Sequence, residues 1–410
     1  MRTIAAVASL VALSAVGLQT AQAQSKEWSV SAKLRGFYDD NIATTPRGAV
    51  GPTGVSLRQA SFGFEVSPSL SYKLPLDQTE IGLSYTYDMK YYENRSNSAD
   101  HSHLADFKLS HAFTPRYKLT LRDTFVIAQE ASLLDPTVST TLLRSNGNNM
   151  RNTAGLNFTA EMTELLAVEV GYDNSVYAYE QKGVGSRSAL LDRMEQLGHV
   201  NLRWQALPTT VGILGYQFGV VDQTSKELLA PGGPAPSTRD NRSHYLYAGA
   251  DHDFNTQLKG SIRAGGQYTE FPNAPAGVRN SSLIPYADVN ASYTYTEGSF
   301  VQLGLKHTRN QTDIGGALDM ESTMVYGALT HKITAKLTCN LNAQYNDGSF
   351  NGGGANNKSE SMFQGGVSLA YEINQHLSAE TGYNYDRLDS DLLGRSFTRN
   401  RVFLGIHASY

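Results

Sequence analysis

The residues with the most evident chemistry lie together at Asp39, Asp40 and Asn41, in the stretch "RGFYDDNIATT". Three adjacent oxygen-bearing side chains at the end of an alternating segment suit Ca²⁺, or the cations that bridge lipopolysaccharide, because hard cations take carboxylate and carbonyl oxygens. Asp and Asn equally favour a turn where a strand ends, and both readings stand at this point. His101 and His103 in "DHSHLAD" share one strand face. Two histidines with no nearby cysteine make a poor metal set, and they read as solvated loop histidines. The glycine run "NGGGANN" lacks the spacing and the Lys-Ser/Thr of a phosphate loop. Neither G-x-S-x-G nor H-E-x-x-H occurs. The sequence therefore assigns no catalytic residue, no cofactor and no metal. An outer-membrane hydrolase whose Ser and His meet on the outer wall stays open as an alternative, since geometry and not spacing builds such a site.

The elements that must position these residues are strands. Helical periodicity is almost absent, and period two recurs in segment after segment. In "EIGLSYTYDMKYY", Ile81, Leu83, Tyr85, Tyr87, Met89 and Tyr91 alternate with Gly82, Ser84, Thr86, Asp88 and Lys90. The connections alternate too: tight turns follow one strand and long Gly/Asn/Pro-rich loops the next. A soluble sandwich also alternates its faces, but it has no reason to gather every long loop at one end. A membrane barrel does, with an even strand number and strands of about ten residues. The expected fold is an all-β, transmembrane, antiparallel up-and-down barrel of about 18 strands, with 16 the alternative count. Its first strand begins at Trp28 and its last, "RVFLGIHASY", ends at Tyr410; the two must pair, because lipid tolerates no open sheet edge.

The N-terminus agrees with this destination. Arg2, an apolar stretch from Ile4 to Leu18 and the small-x-small Ala21-Gln22-Ala23 read as a signal peptide over 1–23, leaving 24–410 as the barrel. A net charge of −4 argues against nucleic acid as a partner. The single cysteine, Cys339, excludes an intramolecular disulfide.

The two faces of the strands carry different chemistry. Aromatics cluster near strand ends on the apolar face, as girdles at both membrane boundaries do. Asp123, Asn174 and His307 fall on that face in strict alternation; Asp123 is expected to mark a β-bulge or a slipped register, and Pro68 a bulge. The polar face carries charges of both signs. Lys33, Arg35, Glu65, Arg122, Arg151, Glu169, Arg203, Arg263, Glu380 and Arg401 are the candidate pore-lining residues. A barrel of this size encloses water rather than a packed core, and a mixed lining implies weak ion selectivity. The apolar stretch "ASLLDPTVSTTLLR" within 129–148 is expected either to fold into the lumen and narrow it, or to pack outward on its neighbours. "LLAPGGPAPSTRD" reads as a mobile outer loop.

The alternating final strand with its terminal aromatic resembles bacterial outer-membrane barrels generally, and the resemblance implies that Phe403 and Tyr410 are read by the insertion machinery. A narrower resemblance lies in "AKLRGFYDDNIATTPRG", residues 32–48. It is similar to the opening strand of the β-barrel porin family that includes exopolysaccharide-operon outer-membrane proteins. That family's strand ends in Tyr-Asp/Ser-Asp-Asn, matched by Tyr38, Asp39, Asp40 and Asn41. The expectation is an outer-membrane channel for small hydrophilic solutes, not an enzyme, in contact with lipid and lipopolysaccharide. A role in exopolysaccharide export is the alternative. The sequence leaves the oligomeric state open.

Overall fold

The computed structural model describes residues 26–52, 54–95, 99–128 and 148–410. It is one sheet of eighteen strands: β1 (Trp28–Asp39), β2 (Ser61–Pro75), β3 (Thr79–Tyr92), β4 (Ala99–Thr114), β5 (Tyr117–Ala128), β6 (Asn149–Glu161), β7 (Leu166–Tyr179), β8 (Arg193–Leu207), β9 (Thr210–Gln223), β10 (Asn241–Asp253), β11 (Leu258–Glu270), β12 (Ser281–Thr296), β13 (Ser299–Asn310), β14 (Asp319–Lys332), β15 (Leu337–Asn351), β16 (Ser359–Asn374), β17 (Leu377–Ser390) and β18 (Phe397–Ser409). Each pairs antiparallel with the next, and β1 pairs with β18 to close the barrel. A short helix, α1 (Arg187–Leu191), is capped by the Ser186 hydroxyl.

The seam runs in register from Ser31 opposite Ser409 to Asp39 opposite Arg401. Val30 and Tyr410 extend it by exchanging backbone bonds of 3.1 and 2.8 Å. At that end the rings of Trp28 and Tyr410 sit 5.8 Å apart.

The outward positions are apolar and exposed, as in Leu34, Leu70, Leu246 and Leu404. Toward the strand ends they become aromatic, and they bring an arrangement that alternation alone did not announce. His101 and His103 lie on β4, not in a loop, and bond outward to the hydroxyls of Tyr87 (2.7 Å) and Tyr85 (2.8 Å). His244 does the same with Tyr216, and His331 with Tyr295. His111, His252 and His307 bond to threonine hydroxyls on neighbouring strands. These histidines are girdle residues, with an aromatic body and a polar tip.

Two expectations about irregularity are corrected. The register is the same on both sides of Pro68: Val66 opposes Met89 and Ser69 opposes Thr86. Pro68 interrupts the ladder without a bulge, because its missing N–H removes a bond but adds no residue. Asp123 is neither bulged nor slipped; it faces outward and accepts a 2.8 Å bond from Asn152 on the next strand. Pairing the two side chains lowers the cost of a polar group on the lipid face.

The inward rings of Tyr247, Tyr326 and Phe403 lie flat on the wall because a residue opposite each is glycine. A Cβ on Gly215 would sit 2.3 Å from the Tyr247 ring; on Gly304, 2.1 Å from Tyr326; on Gly382, 2.4 Å from Phe403. These rings thus cover backbone.

Candidate functional site: the lumen and its outer cover

The inward positions form rows across the strands, and the rows alternate in charge. Along one of them Glu380, Gly405, Arg35, Glu65, Lys90 and Asp100 oppose one another in turn from β17 to β4. Arg35 bonds Glu380 through Nε and, at 3.0 Å, through Nη2, and reaches Glu65 at 3.5 Å. Its guanidinium stacks 4.5 Å from the Phe403 ring, which rests on Gly382. Two inward rows away, Arg401 bonds Asp386 at 2.8 Å. Arg35, Glu65, Lys90, Arg401 and Phe403, with Phe37, Tyr92 and Arg399, border a cavity of about 110 Å³ on the lumen side of the seam.

A second charged wall spans β7 to β12. Asp251 accepts bonds from Arg203 (3.0 Å) and Arg263 (2.7 Å) together. Glu169 accepts from Asn201 at 3.0 Å and lies 3.7 Å from His199. Between the charged walls stand Arg122 on β5 and Arg151 on β6, the latter opposite Tyr177, over which Arg193 stacks at 3.9 Å. All ten candidate residues occupy the inward alternation, and the structure gathers them into these groups: Lys33, Arg35, Glu65, Glu380 and Arg401 at the seam, and Glu169, Arg203 and Arg263 on the second wall, with Arg122 and Arg151 between.

The triplet Asp39, Asp40 and Asn41, weighed as a cation or glycan contact or as a turn, sits where β1 runs into the first outer loop. Asp39 and Asn41 are each 1% exposed. Asp39 accepts from Arg399 (2.7 Å at Nε) and from the Asn41 backbone (2.9 Å). The Asn41 carboxamide accepts from the Thr45 backbone at 2.8 Å and donates to Thr45 and Thr398 carbonyls at 3.0 Å each. Asp40 accepts from Asn400 and from Arg58. Burial pushes the Asp40 carboxyl up, but the bonds from Arg58 and from the Asn400 backbone and side chain outweigh it and hold its pKa below the ordinary value. These bonds tie the first loop to the seam. Among the described residues no group of three or more His, Cys, Asp or Glu has the arrangement of a metal site.

Sequence reasoning missed the packing at the long-loop end of the barrel. Leu191 of α1 packs on Tyr177 and Tyr179, which point inward, so the helix sits inside the wall. Ala317 and Ala355 pack on inward-facing Met320 and Phe350. Arg239, 1% exposed, joins three loops: its guanidinium donates to the carbonyls of Leu190 (3.0 Å), Leu318 (3.5 Å) and Thr312. Burial, and then Arg193, push the Arg239 pKa down to about 10, so it stays charged at neutral pH. Arg395 bonds Asp313 (2.9 Å) and Glu360 (2.7 Å), tying the last loop to the same assembly. In the stretch "LLAPGGPAPSTRD" Leu229, Pro236 and Arg239 are buried, while Leu228 and residues 230–232 are exposed. The only local signal was Pro236 at the first position of a 3₁₀ turn, which fixes the turn that aims Arg239. The expected constriction by 129–148 lies, but for Asn148, outside the described residues.

A family model described as Putative beta-barrel porin 2 matches residues 29–410. Among solved structures, the outer membrane protein opdK from Pseudomonas aeruginosa is 13% identical, with a TM-score of 0.45 over 93% of this chain and 99% of its own. A BenF-like porin from Pseudomonas fluorescens Pf-5 is 12% identical, with a TM-score of 0.48 over 94% of this chain and 99% of its own. No curated protein matches the chain.

Proposed function

The chain belongs to the family described as Putative beta-barrel porin 2, and from that membership we propose that it is an outer-membrane channel through which small hydrophilic solutes diffuse passively. The family and the fold are those of a channel rather than of an enzyme. The observation that carries the reading is the division of each strand: apolar outward, charged or amide-bearing inward, around a barrel closed by its own first and last strands. Water has a continuous polar wall to follow, and lipid an unbroken apolar one.

Lys33, Arg35, Glu65, Arg122, Arg151, Glu169, Arg203, Arg263, Glu380 and Arg401 line this path. Cations and carboxylates are interleaved in the rows, so the wall holds solvated ions of either sign without favouring one strongly. The final strand, with Tyr410 at its boundary, is the segment offered to the insertion machinery, and residues 1–23 are the export signal. The outward girdles meet lipid and lipopolysaccharide.

Planar-bilayer recording tests the channel. The expected result is steady ohmic steps in KCl, a reversal potential near zero in a salt gradient, and exclusion of solutes above a size limit. Arg35→Gln leaves Glu65 and Glu380 without their shared cation, and selectivity then shifts toward cations. A folded protein that shifts on an unboiled gel yet gives no conductance overturns the reading.

A further inference from the structure

One part of the lumen wall is dominated by carboxamides, bordered by Asp386, which opposes Gln364, and by Arg401, which opposes Asn384. On the inward face of β15 to β17, Asn342, Gln344, Asn346, Gln364 and Asn384 form a contiguous patch: Gln344 opposes Gln364, and Asn342 and Asn384 flank Gly366 from either side. A Cβ on Gly366 would meet the Asn384 Oδ1 at 2.5 Å and the Asn342 Oδ1 at 2.8 Å, so both amides lean over the space that the glycine leaves. Beside them the Tyr326 ring, opposite Gln344, lies flat on Gly304.

None of these five carboxamides makes a side-chain hydrogen bond to another described residue, although the charged walls on either side are densely bonded. Gln344, Asn346 and Gln364 are 3%, 5% and 6% exposed, and the Gln364 Oε1 is buried without a partner. Buried amides in native proteins are almost always paired with protein, water or ligand. The Gln364 Oε1 thus calls for a partner from the lumen, beside four more amides that no described side chain engages.

Resting on the channel reading above, we propose that this strip is a binding site for a neutral saccharide. A carboxamide both donates and accepts, and so does a sugar hydroxyl; neither carries charge. An ion gains more from the rows that hold Arg35 and Asp251 than from neutral amides. The flat Tyr326 ring supplies an apolar face for the C–H side of a pyranose. The strip runs from the half-buried Asn342 and Asn384 up to Gln344, Gln364 and Asn346, just below Met320 and Phe350 of the outer cover. A sugar entering from the tight-turn end meets it before meeting the cover.

The test is current blocking in planar bilayers, with maltotriose as the uncharged probe and digalacturonate as the charged one. Maltotriose is expected to interrupt the KCl current of the native channel, and digalacturonate to do so less. The Asn342→Leu/Gln364→Leu double variant weakens the maltotriose block about tenfold, the loss of roughly one or two hydrogen bonds, with KCl conductance little changed. Asn342→Asp, close in shape but stripped of both donors, weakens it as well and guards against a double variant that fails to fold. Arg35→Gln leaves the block intact. Steady KCl steps with no maltotriose block, or an undiminished block in both amide variants, overturn the saccharide site while leaving the channel standing. Absence of any KCl conductance in folded protein overturns the channel itself, and the site with it.

Discussion

The two ends of this barrel are closed by different means. At one end each pair of strands is joined by a tight turn whose bonds are local and mostly backbone, such as Thr163 to Leu166 and Thr334 to Leu337. At the other, the loops are held by single side chains that span great distances in sequence: Arg239 reaches Thr312 and Leu318, Arg395 reaches Asp313, and Asn41 reaches Thr398. The first kind of closure is repeated with every turn and tolerates the loss of any one bond. The second depends on a few buried hubs. The outer end is therefore where single substitutions are expected to act most strongly.

Arg239→Ala is the severest way to break this contrast. It leaves the Leu190, Thr312 and Leu318 carbonyls without their shared donor, at about 1–3 kcal/mol for a buried group left unpaired, so a local loss of about 3 kcal/mol is expected. Limited proteolysis should cut within 224–240, conductance should rise, and the heat-dependent gel shift of the barrel should persist. A variant that resists protease as the native chain does, with unchanged conductance, would show that the three loops hold without their hub.

The contrast also explains what could be read from the sequence. Strand count, the alternation of turns and loops, the seam and the inward placement of Lys33, Arg35 or Glu380 follow from period two, a property that each segment states for itself. Asp123 looked like an error of register because alternation knows nothing of Asn152 on the next strand, which partners it. His101 and His103 looked like loop residues because their Tyr87 and Tyr85 partners lie across a strand pair. The outer cover was illegible for the same reason on a larger scale. Nothing within "PAPSTRD" states that Arg239 will meet residues about seventy positions later. The unpaired amides of β15 to β17 belong to this class: each Asn or Gln is unremarked alone, and only the register sets them side by side.

Asn41→Ala is a milder break at the same end. It removes one acceptor and two donors that fix 41–45 against the Thr398 backbone. The expected loss is about 1–3 kcal/mol, seen as faster hydrogen exchange at Thr45 and around Thr398. At the opposite end Gly298→Ala measures the redundancy of a tight turn. Gly298 has φ of 72°, which costs a residue with a Cβ about 1 kcal/mol, and the Lys332 side chain beside it is flexible enough to move away. A small drop in unfolding midpoint with native conductance is expected. A change in conductance would mean that the tight-turn end is also a gate.

The smallest effect expected is a pH step confined to the outer end. Asp40 ties the first loop to the seam through Asn400 and Arg58, and its pKa in the folded chain lies below the ordinary 3.8. The unfolded or opened loop then binds a proton more tightly than the closed one, so closure gains stability as pH rises. The contribution is complete above the ordinary value and is lost as pH falls through the lowered one. Arg58 is 37% exposed, and water and salt screen the pair to about 0.2–1 kcal/mol. Pepsin cleavage within 40–60, followed as a function of pH and corrected for the enzyme's own profile, should accelerate as pH falls below about 4. Asp40→Asn should be cut faster than the native chain above that point and lack the step, and high salt should shrink it. If the native chain and the variant share one pH profile, the loop is held by Asn41 alone, and the outer end rests on even fewer hubs than the geometry implies.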